Sequence, residues 1–220
     1  MFNFVPSRDI IMPFNDKQIQ ILEVAEKLIA DKGYEGTSVR DIADEANVNL
    51  AMISYYFGSK EKLLDALFSY RGEGSLMKLE SMVYHKNITT LEKVNMLIDY
   101  YIDKIQGQPC FYRIMMREQV ASFRTTTAAM ITDFKKRNQA LIEELIHEGQ
   151  KKGEFKKHIE VPMMMATLIG TVSHIITTQY YYRETNNLQS LSEEEFNAHI
   201  KKKLSNYLKK LFKAILTYEE

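Results

Sequence analysis

The sequence predicts an all-α fold. Nine glycines and four prolines are few for a chain of 220 residues, and these are the two residue types that most often interrupt helices. Apolar residues recur at intervals of three and four through most of the chain, which is the spacing of one face of a helix. No stretch shows the sustained alternation of apolar and polar residues that is typical of a half-buried strand.

The composition is typical of a globular protein and does not indicate a particular partner. A hydrophobic content of 45% is enough for a sizeable core. The 29 basic and 29 acidic residues balance, so net charge does not indicate a nucleic-acid or membrane partner. The single cysteine, Cys110, excludes an intramolecular disulfide and fits a cytoplasmic location. Residues 1–14 lack the pattern of a secretory signal and are expected to form an N-terminal arm.

The first predicted helix begins at a capping box, Asn15-x-x-Gln18, and ends at Gly33. Its apolar face comprises Ile21, Leu22, Ala25, Leu28 and Ile29. This spacing leaves the other side of the helix polar, as expected for a helix packed on one face.

Two short helices joined by a tight turn follow. The capping box Ser38-x-x-Asp41 predicts a second helix that begins at Thr37 or Ser38 and ends near Ala46. Asn47 is the expected turn residue, because asparagine tolerates positive φ better than any residue except glycine. Asn49 then caps a third helix that ends near Phe57. The segment is therefore predicted to be a helix-turn-helix, with one exposed helix available to DNA.

Six further helices follow from apolar spacing and from glycine, proline and capping signals. The fourth helix is predicted to start after Ser59 and to run into the eighties. The limits of the others are Thr89 to Gly107, Pro109 to Phe123, Ala128 to Lys152, Glu160 to Arg183, and Ser192 onward. Gly72 and Gly74 indicate a bend in the fourth helix. The total is nine helices.

Residues 161–182 carry no formal charge and are the one membrane candidate. Their proline, threonines, serine, histidine and glutamine dilute the apolar content below that of a confident span. The segment is therefore expected to be a buried or interface helix with no membrane partner. A helical protein anchored to a membrane through these residues remains the alternative.

Metalloenzyme signatures are incomplete. His147-Glu148 lacks the second histidine of the H-E-x-x-H motif, because Lys151 stands there. Glu144-x-x-His147 is a single E-x-x-H, whereas a helical di-iron site requires two. The chain is expected not to be an enzyme, and no cofactor or metal is predicted.

Residues 34–64, YEGTSVRDIADEANVNLAMISYYFGSKEKLL, resemble the signature of the TetR family of bacterial transcriptional regulators. Matching positions are Gly33-Tyr34, Thr37, Ile42-Ala43, Ala46, Val48, Ile53, Tyr56-Phe57 and Ser59-Lys60-Glu61, and the resemblance covers about residues 16 to 67. It implies a DNA-binding domain over 15–62 and a ligand-binding and dimerisation domain over 63–220. It also implies a homodimeric repressor that a small, largely apolar effector releases from a palindromic double-stranded DNA operator. Asn47 and Ser54 depart from the usual glycine and tyrosine.

DNA contacts are expected from exposed positions of the second and third helices and the start of the fourth. They are Thr37, Ser38, Arg40, Asn49, Leu50, Ala51, Ser54, Tyr55, Tyr56 and Lys60. Hydroxyls and N–H groups at a helix N-terminus can cap the helix and meet a phosphate. Uncharged side chains on the third helix can touch base edges and thymine methyls. Residues 1–71 hold eight bases and eleven acids, so affinity depends on the placement of contacts rather than on bulk charge.

Methionine and aromatic residues are frequent in the middle of the chain, which favours an adaptable apolar pocket or an ordinary core. Resemblance implies an effector pocket here, and its candidates are Tyr101, Phe111, Tyr112, Met115, Met116, Phe134, Met164 and Met165. Small residues on the uncharged helix and leucines on the last helix indicate a two-fold dimer interface. These candidates are Ala166, Gly170, Ser173, Thr177, Leu204, Leu208 and Leu211.

Overall fold

The computed structural model describes residues 14–121 and 126–217. All regular structure in these ranges is α-helical, which confirms the predicted fold class. The ten helices are α1 Asp16–Lys32, α2 Val39–Glu45, α3 Leu50–Phe57, α4 Lys60–Val83, α5 Thr90–Gly107, α6 Pro109–Ala121, α7 Thr126–Lys151, α8 Val161–Thr177, α9 Gln179–Thr185 and α10 Glu193–Thr217. The predicted N-terminal arm, apart from Phe14, and the predicted helix end at Phe123 lie outside the described residues.

Helix starts follow the capping chemistry of the sequence. In α1 the Gln18 N–H donates to Asn15 Oδ1 at 2.9 Å, and the Asn15 N–H donates to Gln18 Oε1 at 3.0 Å. The boxes predicted at Ser38, Thr89 and Ser192 are formed in the same way. Since four N–H groups at each helix start lack a partner within the helix, these contacts fix where the helices begin.

The chain forms two compact units. The first contains residues up to Gly74 together with Ile114–Met130, and the second contains Ser75–Arg113 together with residues from Ile131 onward. This division falls inside α4, α6 and α7. Helix α4 passes the two glycines of its middle part without interruption.

A small core holds the first unit together. Its members are apolar residues of α1 to α4 that are almost completely buried: Ile21, Leu22, Ala25, Ile29, Ile42, Ala43, Ile53, Leu63, Leu64 and Leu67. An ion pair between α4 and α1 supports this packing, because Arg71 Nε lies 2.8 Å from the Glu26 carboxylate. Glu26 is 4% exposed, and such a buried carboxylate requires a partner.

The core of the second unit lies where α5 packs against α8 and α10. Leu97, Ile98, Leu168 and Leu208 are among its buried side chains. At the edge of this core, Ser205 Oγ donates to Asp99 Oδ1 at 2.6 Å, which links α10 to α5.

The predicted single helix from Glu160 to Arg183 is wrong, because two helices occupy this segment. Helix α8 ends at Thr177, and Thr178 takes φ −107° and ψ 26°. Helix α9 then leaves at 77° to α8. No single helix in the described part of the chain is long and apolar enough to cross a membrane, and only this bent pair passes by length and composition together.

Candidate nucleic-acid interface

Helix α3 presents one face to solvent and buries the other. Asn49 caps it, accepting the Ala51 N–H on Oδ1 at 2.9 Å. Ile53 and Phe57 are 1% and 7% exposed and anchor the inner face. The outer face is made of Leu50, Ala51, Ser54 and Tyr55, all exposed. Tyr55 is 84% exposed, so its whole ring is available to a partner.

The turn between α2 and α3 sets the direction of this exposed face. Asn47 adopts φ 49°, the left-handed conformation predicted for it. The Val48 N–H donates to the Ala43 carbonyl at 3.0 Å, which closes the end of α2. Gln20 Nε2 of α1 donates to the Ala46 carbonyl at 2.9 Å. The turn is therefore tied to both α1 and α2.

At the start of α2, Ser38 is exposed but its donors are already engaged. Its N–H and its hydroxyl both donate to Asp41 Oδ2, at 2.8 and 2.6 Å. These two bonds lower the pKa of the Asp41 carboxyl, the hydroxyl contributing more than the N–H. A phosphate at this position would have to compete with that carboxylate. Arg40 is exposed beside it.

Thr37 does not face solvent. It is 1% exposed, and its hydroxyl donates to the carbonyls of Gly33 at 2.8 Å and Leu28 at 3.2 Å. Gly33 follows the last residue of α1, where no helical N–H remains for its carbonyl, and Leu28 lies in the second-last turn of the same helix. The Thr37 hydroxyl is therefore engaged inside the first unit rather than exposed to a phosphate.

Lys60 and Tyr56 are half-buried. The Lys60 ammonium donates to the Tyr34 carbonyl and lies 4.0 Å from the centroid of the Tyr34 ring. Tyr56 packs its ring against Phe57 with centroids 6.3 Å apart. Contact with a phosphate would require the Lys60 side chain to leave the Tyr34 carbonyl, whereas Ser54 and Tyr55 need no rearrangement.

The predicted pocket residues differ in exposure. Tyr101, Phe111, Met115 and Met164 are buried, Tyr112, Phe134 and Met165 are half-buried, and Met116 is exposed. Tyr101 and Met164 belong to the core of the second unit, and Tyr112 and Met165 pack against it. Met115 and Met116 belong to the first unit. Tyr101, Tyr112, Met164 and Met165 thus share one apolar environment.

The predicted interface residues divide into an exposed and a buried set. Ala166, Gly170 and Thr177 are exposed on α8, and Leu211 is half-buried on α10. Ser173, Leu204 and Leu208 are 3%, 5% and 0% exposed within the subunit. A second chain can therefore reach the first set, while the buried set already has neighbours inside its own chain.

Two buried lysines on α5 were not among the predicted site residues. Lys93 and Lys104 are 4% and 9% exposed. Both lie on the helical face that carries Leu97 and Tyr101. Lysine is rarely buried without a partner, so a lysine on the apolar stripe of a predicted helix is the signal that would have identified them.

Two family models match the chain. The model described as "Bacterial regulatory proteins, tetR family" matches residues 21–67. The model described as "Tetracyclin repressor-like, C-terminal domain" matches residues 91–205. The first match contains α2, α3 and the turn between them, and the second contains both buried lysines.

Curated relatives and solved structures agree with these matches. A probable HTH-type transcriptional regulator, YttP, from Bacillus subtilis is 31% identical over 138 residues, which are 62% of this chain and 66% of the relative. The fatty acid metabolism regulator protein of Bacillus subtilis is 25% identical over 176 residues, covering 80% of this chain and 90% of the relative. The structure of the ketosteroid transcriptional regulator KstR2 of Mycobacterium tuberculosis aligns with a TM-score of 0.69 at 18% identity, over 96% of this chain and 100% of that one. The structure of FadR from Bacillus subtilis in complex with stearoyl-CoA aligns with a TM-score of 0.65 at 23% identity, over 88% and 96%.

Proposed function

Since the chain belongs to the TetR family of bacterial transcriptional regulators, we propose that it is a homodimeric repressor that a largely apolar effector releases from a palindromic operator. The observation that carries the DNA-binding part is the exposed outer face of α3. That face holds Leu50, Ala51, Ser54 and Tyr55 on a helix fixed by its cap and by two buried anchors. It can enter a major groove without rearrangement.

Sequence recognition by this face would rest on methyl contacts and on the fit to DNA shape. Leu50 and Ala51 offer apolar atoms to thymine methyl groups, and Ser54 can bond a base edge. No side chain from Asn47 to Ser59 carries a charge, so strong bidentate contacts to guanine are absent from this stretch. Tyr55 and Arg40 would contact the backbone and fix the register.

A two-fold dimer would carry two such helices. The exposed residues of α8 are uncharged and include Met163 at 63%, with Ala166 and Gly170. Tyr181 of α9 and Tyr207 of α10 are 66% and 59% exposed. Exposed apolar groups on neighbouring elements are typical of a protein interface. The dimer would place the two α3 helices on half-sites about 34–36 Å apart or a multiple of that distance.

The effector is expected to bind in the second unit. Tyr101, Tyr112, Met164 and Met165 supply aromatic and flexible apolar surface there. A relative whose sequence aligns with most of this chain is named a fatty acid metabolism regulator, which favours an effector with a long apolar portion. Binding would select a conformation in which the two α3 helices no longer match successive major grooves.

Selection from fragmented genomic DNA tests the proposal. The wild-type protein is expected to enrich a palindromic sequence, and Tyr55→Ala is expected to bind that sequence about tenfold more weakly. Tyr84→Ala is the matched control, because Tyr84 is 55% exposed in the second unit and should leave operator affinity unchanged. Enrichment of no palindrome by the wild type, or equal losses for the two variants, would contradict the proposal.

A further inference from the structure

Lys104 of α5 holds an ammonium group inside the second unit. The Lys104 side chain donates a hydrogen bond to Ser75 Oγ of α4. Its Nζ lies 5.3 Å from the centroid of the Phe134 ring and 5.8 Å from that of Tyr100. No carboxylate among the described residues lies within ion-pairing distance of it. A hydroxyl and two aromatic rings therefore surround a group that usually carries a full charge.

Lys93, three turns earlier on the same helix, is also buried, but its ammonium group has a charged partner. Its Nζ lies 2.8 Å from the Glu148 carboxylate and donates to the Val83 carbonyl at 2.8 Å. An ammonium removed from water costs several kcal/mol unless such partners are present. Lys93 has them, whereas Lys104 has a hydroxyl in place of a carboxylate.

Two buried amide oxygens lie one helical turn from Lys104 and from Phe134. Gln108 caps the end of α5, one turn beyond Lys104, and Asn138 lies one turn beyond Phe134 on α7. Gln108 Oε1 and Asn138 Oδ1 are buried without a hydrogen-bond partner among the described residues. Buried amides usually bond on both sides, and an amide can turn either its oxygen or its NH2 group toward a ligand. The faces of α5 and α7 that meet at Lys104 thus carry amide groups that could form hydrogen bonds with a ligand.

Aromatic residues define the remaining surroundings. Tyr100 Oη lies 2.7 Å from Ser75 Oγ, and the Tyr100 and Tyr101 ring centroids are 5.6 Å apart. Burial, and next the neighbouring phenols, raise the pKa of Tyr101 and of Tyr112. These phenols therefore stay neutral and cannot act as counter-ions to Lys104.

We propose that Lys104 binds the carboxylate of the effector, which is therefore an apolar molecule with one acidic headgroup. Lys104 supplies a single positive charge, which matches a carboxylate, whereas a phosphate is usually held by an arginine or by several donors. The aromatic and methionine side chains of the second unit would cover the apolar portion. The assignment rests on the proposed ligand-responsive function.

Binding at Lys104 would also act on α4. Ser75, which accepts the hydrogen bond from Lys104, is part of α4, and the same helix carries Lys60 at its start. A carboxylate at Lys104 would compete with the Ser75 hydroxyl for the ammonium protons. The headgroup thereby replaces a contact between α5 and α4, which provides the differential interaction that a ligand-driven change of state requires.

Calorimetric titration of the full-length protein without DNA tests this assignment. Its probes are decanoate, decan-1-ol and decanoyl-CoA, which share the alkyl chain and differ in the headgroup. We expect the wild type to bind decanoate at least about thirtyfold more tightly than decan-1-ol, because only decanoate forms the buried charge pair. This comparison needs no variant and therefore does not depend on how a substitution folds.

Variants assign the effect to Lys104. Lys104→Met should weaken decanoate binding at least about thirtyfold and leave decan-1-ol unchanged. Lys93→Met is the matched control on the same helix, and Glu148 keeps Lys152 as a partner at 2.6 Å, so decanoate affinity should be retained. Equal binding of decanoate by the wild type and Lys104→Met, or no binding of decanoate, overturns the assignment. If Lys104→Met weakened the binding of decanoyl-CoA alone, Lys104 would bind a phosphate instead, and this result would also overturn the assignment. Failure to bind an operator would contradict the proposed function alone, because these titrations contain no DNA.

Discussion

Burial lowers the pKa of the Lys104 ammonium from 10.5 to about 8, because the charged form loses hydration that its hydroxyl partner does not replace. Between these two pH values the unfolded chain binds more protons at this site than the folded protein does. The free energy of unfolding therefore rises with pH through this window, and below about pH 8 the folded state bears the whole cost of the buried charge. A role in binding a ligand would explain why a buried charge that destabilises the folded protein is retained.

Lys104→Met should accordingly stabilise the protein at pH 7, by up to about 3 kcal/mol. Methionine keeps the length of the side chain and removes the charge, and Ser75 keeps Tyr100 as a hydrogen-bond partner. Denaturant unfolding of both proteins at pH 7 and pH 10 provides the measurement. The gain should shrink at the higher pH, where the wild-type lysine is mostly neutral. A variant less stable than the wild type at pH 7 would indicate that Lys104 has a structural role.

Single residues were the hardest part of the site to predict. Asn47 and Asn49 were predicted correctly because their roles depend on backbone conformation within a few residues. Thr37 was predicted to face DNA, but its hydroxyl turns back to the carbonyls of Gly33 and Leu28, four and nine residues earlier, and no capping signal in the sequence indicates that contact. Lys104 was passed over because its burial depends on α4 and α7, whose residues are distant in sequence.

At the level of the helices, the last turn of α7 depends on a glycine. A Cβ on Gly149 would lie 2.2 Å from Cδ2 of Phe155, whose ring is 5% exposed in the core of the second unit. The Gly149 carbonyl also accepts the N–H groups of Glu154 and Phe155, at 2.9 and 3.2 Å. The ring is therefore held over the glycine by the backbone that follows α7.

Gly149→Ala is expected to destabilise the protein by about 1–3 kcal/mol, because the Phe155 ring must leave its position in the core. Gly74→Ala is the control, since no atom lies within 4 Å of a Cβ at Gly74 in α4. Alanine there should stabilise the helix by up to about 1 kcal/mol. Thermal unfolding measures both, and a Gly149→Ala protein as stable as the wild type would show that the close approach is not maintained.

Helix limits could be predicted wherever they depend on local sequence. Four capping boxes determine the starts of α1, α2, α5 and α10, and each box involves two residues that are only three positions apart. The break between α8 and α9 has no glycine or proline to signal it. Instead, contacts distant from the break hold α9, since Arg183 lies 4.0 Å over the Phe196 ring of α10 and donates to the Leu191 carbonyl at 2.7 Å. Packing of this kind cannot be derived from the spacing of apolar residues alone.

At the scale of the whole molecule, DNA binding should depend on having two copies of α3. Residues 1–71 carry a net charge of −3, from eight bases and eleven acids, so a single DNA-binding domain gains little from general attraction to phosphates. Linking two weak binding modules makes the second contact intramolecular, and avidity can then exceed the affinity of either module by a factor of about 100 or more. Loss of the dimer should therefore weaken operator binding more than the loss of any one base contact.

Gly170→Arg tests that dependence. Gly170 is exposed on the uncharged face of α8, and no atom lies within 4 Å of a Cβ built there, so the subunit itself can accept arginine. In a two-fold dimer the two new guanidinium groups would be buried in the interface without a partner, at a cost of several kcal/mol. We expect a monomer by light scattering and an operator affinity at least about a hundredfold weaker. Gly107→Arg is the control, because Gly107 is also exposed with open space around its Cβ and lies on α5, which contributes no residue to the proposed interface. It adds the same charge, so any general gain in attraction to DNA is equal in both variants.

A Gly170→Arg protein that remains dimeric, or a monomer that binds the operator as tightly as the control, would contradict the proposed arrangement.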